Sequence, residues 1–473
     1  MEQFIGRTYE IGLLDRLLRQ VTEGGRAGRP GRAVLIRGRR RVGKSRLVEE
    51  FIDRAGTPSV FFTASGQPTV AADLALFAEA VSESTLPDTD IFRDQAPASW
   101  DAALRLLARS LPDDQPSVIV IDEMPYLLKT DPGFEGTLQK IFDRELSRRP
   151  VLLICVGSDL AMMEALNSYG RPFHQRATEL VVPALSPADV ARMLGLPAAD
   201  AFDAYLVSGG LPLILGEWPP GLLAIDYVTG AATDPLSALL VSGERALAAE
   251  FPPDSHARLV LSAIGSGERT YSKIQQAAGG MPQATLNRAL HLLAAKRIVL
   301  ASAPLSIRRS TQTRYSVADP HLRFWLAFLG PHVPEIERRR GDIVAARIRA
   351  SWSAWRGSAI EPVIRDSLNR ITDQLPGQPE VVGNYWTRAN DPEVDLIGAD
   401  REPVAQRIAF VGSIKWRESH PFDERDLAAL IAARSRVPGA SEDTHLVAVA
   451  RSGVSAKSPV ALGPDDLLTA WET

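Results

Sequence analysis

Residues 38–45 read Gly-Arg-Arg-Arg-Val-Gly-Lys-Ser, directly after the apolar run Ala33-Val34-Leu35-Ile36. This is the GxxxxGK[ST] spacing between a buried strand and an amphipathic segment carrying Leu47, Val48, Phe51 and Ile52, the sequence context of a phosphate-binding loop. Gly38 and Gly43 let the backbone curl, so that N–H groups along Arg39, Arg40, Arg41 and Val42 turn inward at phosphate oxygens. The helix that follows, through Ser45 and Arg46, adds the positive end of its dipole. Lys44 supplies a point charge for the β- and γ-phosphates, and the Ser45 hydroxyl is a ligand for Mg²⁺. The expected ligand is ATP with Mg²⁺.

A phosphate loop alone does not specify hydrolysis, so its acidic partner matters. Ser117-Val118-Ile119-Val120-Ile121-Asp122-Glu123 reads as an apolar strand ending in two carboxylates. Asp122 at the strand tip suits Mg²⁺, a hard cation that takes oxygen ligands. Glu123, one residue on, is placed to polarise an attacking water. Between loop and acids lies a further strand-like run, Ser59–Thr63, which fits the P-loop class that carries a catalytic Glu. The next apolar run, Val151–Gly157, ends at Ser158-Asp159. In a parallel sheet that end lies at the phosphate edge, so Ser158 is a candidate sensor of the γ-phosphate or the water, and Asp159 a helix N-cap. Arg171 and Arg176 follow around a Gly-Arg-Pro turn and are candidate arginine fingers, in cis or from a neighbouring subunit.

With these residues in view, the chain resembles the archaeal-type ATPase family within the STAND/AAA+ P-loop group. The resemblance rests on Phe4-Ile5-Gly6-Arg7 with Glu10-Ile11, Gly38–Ser45, Asp122-Glu123 with Tyr126-Leu127, and Gly157-Ser158. Ser168-Tyr169-Gly170-Arg171 and Gly209-Gly210-Leu211-Pro212 complete it. It implies that the Phe4–Arg7 turn lies against the adenine and that Pro212 touches the nucleotide from a helical lid. Pro125 departs from the aromatic or polar residue more usual there.

The 473 residues carry a net charge of −4, with 45% hydrophobic and 23% charged residues and one cysteine, Cys155. A chain of this length is expected to hold two to four domains. A single cysteine excludes an intrachain disulfide and fits a reducing compartment. Met1-Glu2-Gln3 opens without a basic or apolar signal, and no segment approaches 18 consecutive apolar residues, so a cytoplasmic protein with no membrane partner is expected. The histidines are scattered, with no zinc spacing.

The average charge hides a local contrast. Between Phe251 and Ser316 nine basic residues (Arg258, Arg269, Lys273, Arg288, Lys296, Arg297, Arg308, Arg309, Arg314) face two acids, Asp254 and Glu268. The pattern predicts helices at Ala257–Ile264, Tyr271–Ala278 and Gln283–Ala295, with Pro at the entry of the third. A strand at Ile298–Leu300, an Arg- and Ser-rich loop and a returning strand near Arg314–Val317 complete a winged helix-turn-helix. Gln283, Thr285, Asn287 and Arg288 then face a major groove, and Arg308, Arg309 and Arg314 on the wing neutralise phosphates. Double-stranded DNA through residues 271–314 is the expected partner, with a protein partner as the alternative.

From about Trp352 a helix with Glu361 precedes alternating strands at Glu380–Val382, Tyr385–Trp386, Val394–Ile397 and Arg407–Val411, the last ending in Gly412–Trp416. This resembles the PD-(D/E)xK nuclease-like domain fused to many such ATPases. The resemblance implies that Glu361 and Asp395 would ligate a metal and that Lys415 would orient water. Ser413 stands where the remaining acid belongs, which weakens Mg²⁺ binding; a degenerate domain is expected, with an active nuclease as the alternative. The fold class is thus multidomain α/β: a P-loop NTPase parallel-sheet core over 1–184, a helical lid over 185–250 and a winged helix over 251–330. A helical linker over 331–350 and a restriction-endonuclease-like α/β domain over 351–473 follow. The expected function is an ATP-hydrolysing switch acting on DNA or a protein partner, with homo-oligomerisation open. The alternatives are an ATP-regulated nuclease in defence or DNA processing, and a low-turnover signalling scaffold.

Overall fold

A computed structural model of the chain describes residues 4–23, 30–94, 97–252, 255–267, 269–457 and 459–472. Met1, Glu2 and Gln3, and the acids Asp254 and Glu268, lie outside the described residues. The chain divides into two compact units, 1–184 and 185–473.

The first unit is built on strands β1 (Arg32–Arg37), β2 (Ser59–Thr63), β3 (Ser117–Asp122), β4 (Val151–Gly157) and β5 (Ala177–Val181). Every pairing is parallel, in the order β2-β3-β4-β1-β5. β3 and β4 are buried at every residue. A parallel sheet covered on both faces has no solvent side, which explains their unbroken apolar runs. One face packs on an aromatic cluster in which Trp100 meets Phe134 and Phe77 edge-on, at 4.9 and 5.4 Å between ring centroids. Because β4 lies between β1 and β3, the phosphate loop after β1 and the acids after β3 flank the end of β4.

The second unit opens with helices that include Pro187–Leu194, Ala198–Ser208 and Pro212–Gly216. Three helices follow, His256–Gly265, Tyr271–Ala277 and Gln283–Ala295, then an antiparallel hairpin of β6 (Val299–Ser302) and β7 (Arg314–Val317). One hydrophobic cluster runs from Leu185 to Trp352, so these helices and the hairpin share a core. The stretch 331–350, expected as a polar linker, leads into one packed helix, Gly341–Ala359, that buries Val344, Ile348 and Trp352. Apolar residues four apart form a narrow stripe, which surrounding arginines mask in the sequence.

The remainder holds the helices Glu361–Arg370, Glu424–Arg434 and Pro464–Thr469 and five strands: β8 (Val381–Trp386), β9 (Glu393–Ala399), β10 (Ile408–Lys415), β11 (His445–Ala450) and β12 (Val460–Leu462). β8, β9 and β10 pair antiparallel, whereas β10, β11 and β12 pair parallel. Alternation along the strands sends Leu396, Phe410 and Val447 to one core and Ile397, Val411 and Ala448 to another, the period-2 signature of a sheet covered on both faces.

A buried charge cluster ties this sheet to the helix Ala198–Ser208. The Arg356 side chain is 1% exposed, and its Nη1 donates to Asp203 Oδ2 at 2.7 Å and Glu418 Oε1 at 2.8 Å. Arg451 Nη2 reaches Asp203 Oδ2 at 3.1 Å and Asp200 Oδ1 at 2.6 Å, and Trp416 Nε1 donates to Asp203 Oδ1 at 3.1 Å. Burial pushes the Asp203 carboxyl above its usual range, against the pull of Arg356 and Arg451. Removing one member of a buried pair strands the other, so Arg356→Ala is expected to destabilise the second unit by about 3–5 kcal/mol. Urea denaturation followed by tryptophan fluorescence reads the loss as a lowered midpoint.

Candidate nucleotide site and nucleic-acid face

The loop between β1 and the helix Lys44–Ala55 folds as its glycines require. Gly43 sits at φ 87° as the residue capping that helix. A Cβ on Gly38 would lie 2.4 Å from the Val182 carbonyl oxygen, so only glycine fits there. Lys44 is buried, and its Nζ donates to the carbonyls of Gly38 and Arg39, each at 2.9 Å. Burial lowers the Lys44 ammonium below its usual value, against the pull of Glu123 and Asp122, and Arg40 lowers it further. A buried cation held by neutral carbonyls favours an anionic ligand.

Ser45 Oγ donates to Asp122 Oδ2 at 2.6 Å. Burial pushes the Asp122 carboxyl up, against its hydrogen bonds from Ser45 and the Glu123 amide. Glu123 adopts the left-handed conformation, φ 51° and ψ 40°, which is uncommon for a residue with a side chain and tends to occur at functional positions. Its Oε2 accepts a hydrogen bond from Ser158 Oγ at 2.9 Å. Lys44, Ser45, Asp122, Glu123 and Ser158 therefore form one constellation at the ends of β1, β3 and β4.

Arg7 is buried at φ 63°, and its Nη2 donates to Val42 O at 2.8 Å and Pro183 O at 2.7 Å. Its guanidinium thus braces the loop from behind, while Phe4, Ile5 and Gly6 remain half-buried. Arg40 Nη2 reaches Tyr126 Oη at 3.4 Å. Arg39 and Arg41 frame the turn, with Arg41 at φ 68°, and Arg46 lies on the outer helix face beside Glu49 and Glu50. Arg171 pairs with the buried Glu135, and Arg176 Nε with Asp143 at 2.9 Å, so the helix Phe134–Arg144 holds both guanidiniums. Pro212 begins its helix in the second unit, after Gly209 and Gly210 at φ 61° and 67°.

In the second unit Gln283, Asn287 and Arg288 are exposed on the third helix and Thr285 is half-buried; Arg308 and Arg309 are exposed on the hairpin loop. Arg314 corrects the expectation of a phosphate contact. It is buried, pairs with Glu393 at 2.6 Å and Asn390 at 2.8 Å, and stacks 4.5 Å from the Trp386 ring centroid. The cause is that the loop docks on the five-stranded sheet, where the Leu305 amide donates to Asn384 O and Leu305 is buried. Arg258 is likewise neutralised, by Glu244.

Asp395 accepts from Ser413 Oγ at 3.0 Å and the Ile414 amide at 2.8 Å. Arg365 lies 3.6 Å from Glu361 and donates to the Asp395 carbonyl at 3.1 Å. Lys415 Nζ faces Asp426 at 3.9 Å. Among the described residues no group of three or more His, Cys, Asp or Glu is arranged to hold a metal ion. Arg365 thus places a guanidinium beside the Glu361 carboxylate.

Over residues 3–154 the chain matches the family model described as AAA ATPase domain. This segment is an AAA ATPase domain. Residues 325–427 match a model described as archaea bacterial proteins of unknown function. An uncharacterized protein of Methanocaldococcus jannaschii is 23% identical over 432 residues, 90% of this chain and 92% of its own. Among solved structures, the Walker-type ATPase of Pyrococcus abyssi aligns with TM-score 0.48 and 18% identity, over 69% of this chain and 96% of that one. The Aeropyrum pernix ORC2 protein in its ADPNP–ADP complexes aligns with TM-score 0.46 and 15% identity, over 74% and 98%. Among the described residues no helix is long and apolar enough to cross a membrane.

The ATPase domain also uses residues that the sequence did not single out. Glu135 and Asp143 hold the arginines of the Ser168–Arg176 segment. Such pairings join positions far apart in sequence and leave no local signature. Lys44→Ala removes the charge at the loop and is expected to lower ATP affinity roughly 10- to 100-fold, the range for losing a hydrogen bond to a charged group. Titration with a fluorescent ATP analogue reads the change.

Proposed function

We propose that the chain is an ATP-driven molecular switch of the STAND/AAA+ type that couples its nucleotide state to engagement of double-stranded DNA. The observation that carries this reading is the paired contact Ser45–Asp122 and Glu123–Ser158 beside the buried Lys44. In this reading Lys44 binds the β- and γ-phosphates, and the Gly38–Ser45 amides cradle them. Ser45 and Asp122 would hold Mg²⁺, which when bound neutralises phosphate charge. Glu123 accepts the proton of the attacking water, and Ser158 fixes the orientation of its carboxylate. Arg171 and Arg176 act as fingers only on leaving their carboxylate partners.

The three helices and hairpin have the order and pairing of a winged helix, which supports a DNA-binding role. The exposed Gln283, Asn287 and Arg288 supply groove contacts, with Arg308 and Arg309 on phosphate. The sheet β8–β12 with the helix Glu361–Arg370 fits a nuclease-like fold whose donor set is degenerate. Ser413 replaces an acid, and Arg365 supplies positive charge beside Glu361, so we read this part as a binding module rather than a metal nuclease. The helix Ala198–Ser208 links the parts: its end carries the Gly209–Pro212 turn, and its Asp203 is bonded to Arg356, Arg451 and Trp416.

Glu123→Gln keeps shape and hydrogen-bond reach but loses the base. ATP is then expected to bind normally while turnover falls by about 10²-fold or more. A phosphate-release assay beside the binding titration checks this, and unchanged turnover removes Glu123 from the role.

Replacing Arg308 and Arg309 together by Glu is expected to weaken duplex binding and to lower the salt slope by about one per lost phosphate contact. A mobility-shift series across salt concentrations reads both, and unchanged affinity favours protein contact instead.

A further inference from the structure

A cavity of about 160 Å³ opens within the second unit, between β7, the end of the helix Gly341–Ala359 and the start of the helix Glu361–Arg370. Arg269, Arg323 and Arg365 line it with Glu361 and Trp355. Arg314 also borders it, but its charge is committed to Glu393.

The other three guanidiniums outnumber the acids of the lining, although Asp319 and Glu361 act on Arg323, and Glu361 and Asp395 on Arg365. Arg323 is fixed by two neutral acceptors, the carbonyls of Ala359 at 2.9 Å and Val317 at 2.7 Å. These orient the side chain without cancelling its charge. Burial, with Arg269 and Arg365 as like-charged neighbours, lowers Arg323 to about 10. Arg365 has Glu361 at 3.6 Å. Arg269 is exposed at the mouth. Three positive side chains thus converge on a recess whose lining holds one carboxylate among the described residues, and the fixed guanidiniums are oriented before any ligand arrives. A compact dianion with several acceptor oxygens matches that arrangement, because guanidinium–phosphate hydrogen bonds are charge-assisted and directional.

We propose that this cavity binds a terminal phosphate group, with Arg269, Arg323 and Arg365 as its donors and Trp355 as its apolar wall. The chemistry is that of a phosphate monoester; its sources are free phosphate or the phosphorylated end of a nucleic-acid strand. The site is separate from the phosphate loop and does not depend on ATP turnover.

The test uses the full chain carrying Lys44→Ala, which weakens the phosphate loop as a competing site. Inorganic phosphate and two single-stranded oligonucleotides of one sequence, 5′-phosphorylated and 5′-hydroxyl, are titrated calorimetrically. The phosphorylated strand is expected to bind about tenfold or more tightly than its hydroxyl counterpart, the scale of one charge-assisted contact. Arg269→Gln, at an exposed position, is expected to erase that preference, whereas Glu361→Gln enlarges it by removing the competing carboxylate. Phosphate binding that needs Arg269, with equal affinity for the two strands, assigns the site to free phosphate. Phosphate and strand affinities that are all unchanged by Arg269→Gln overturn the proposal, as does failure of every probe to bind.

Discussion

The N-terminal unit is organised around one buried ammonium. Lys44 Nζ is held by the carbonyls of Gly38 and Arg39, and Asp122 and Glu123 act on it from the ends of neighbouring structure. Desolvation makes an isolated charge there costly. A phosphate would offset that cost, and the surrounding geometry prepares for one: β4 between β1 and β3, glycine at 38, and Arg7 bracing Val42 from behind.

Much of this was legible in the sequence because the motifs are local. The run from Gly38 to Ser45 fixes its own backbone, and the apolar stretches of β3 and β4 announce strands buried on both faces. The three helices His256–Gly265, Tyr271–Ala277 and Gln283–Ala295 were legible for the same reason, since each carries its own period. What stayed hidden depends on pairings between distant positions. Arg314 looks like a free wing cation until Glu393 and Trp386 are brought to it by docking of the 303–313 loop. The Gly341–Ala359 helix reads as polar because its buried stripe is thin and contains Arg356, a charge that is stable inside only with Asp203 beside it.

Charge placement in the second unit separates two kinds of arginine. Arg356, Arg451 and Arg314 are neutralised by carboxylates and hold the fold together. Arg288, Arg308 and Arg309 stand at the surface, available to a polyanion. Arg365 beside Glu361 lies between these roles, satisfying locally a carboxylate that a metal nuclease would use on its cation. Asp203 matters for coupling because it sits on the helix that ends at Gly209. A shift of that helix cannot occur without disturbing the buried contacts to Trp416 and Arg451, which follow β10 and β11.

Nucleotide-dependent DNA engagement is read by the duplex affinity of the full chain at one salt concentration. It is compared without nucleotide, with ADP, and with a non-hydrolysable ATP analogue. A difference between the ADP and ATP-analogue states of about fivefold or more is expected, the lower end of ordinary coupling free energies. Equal affinity in all three states would contradict it.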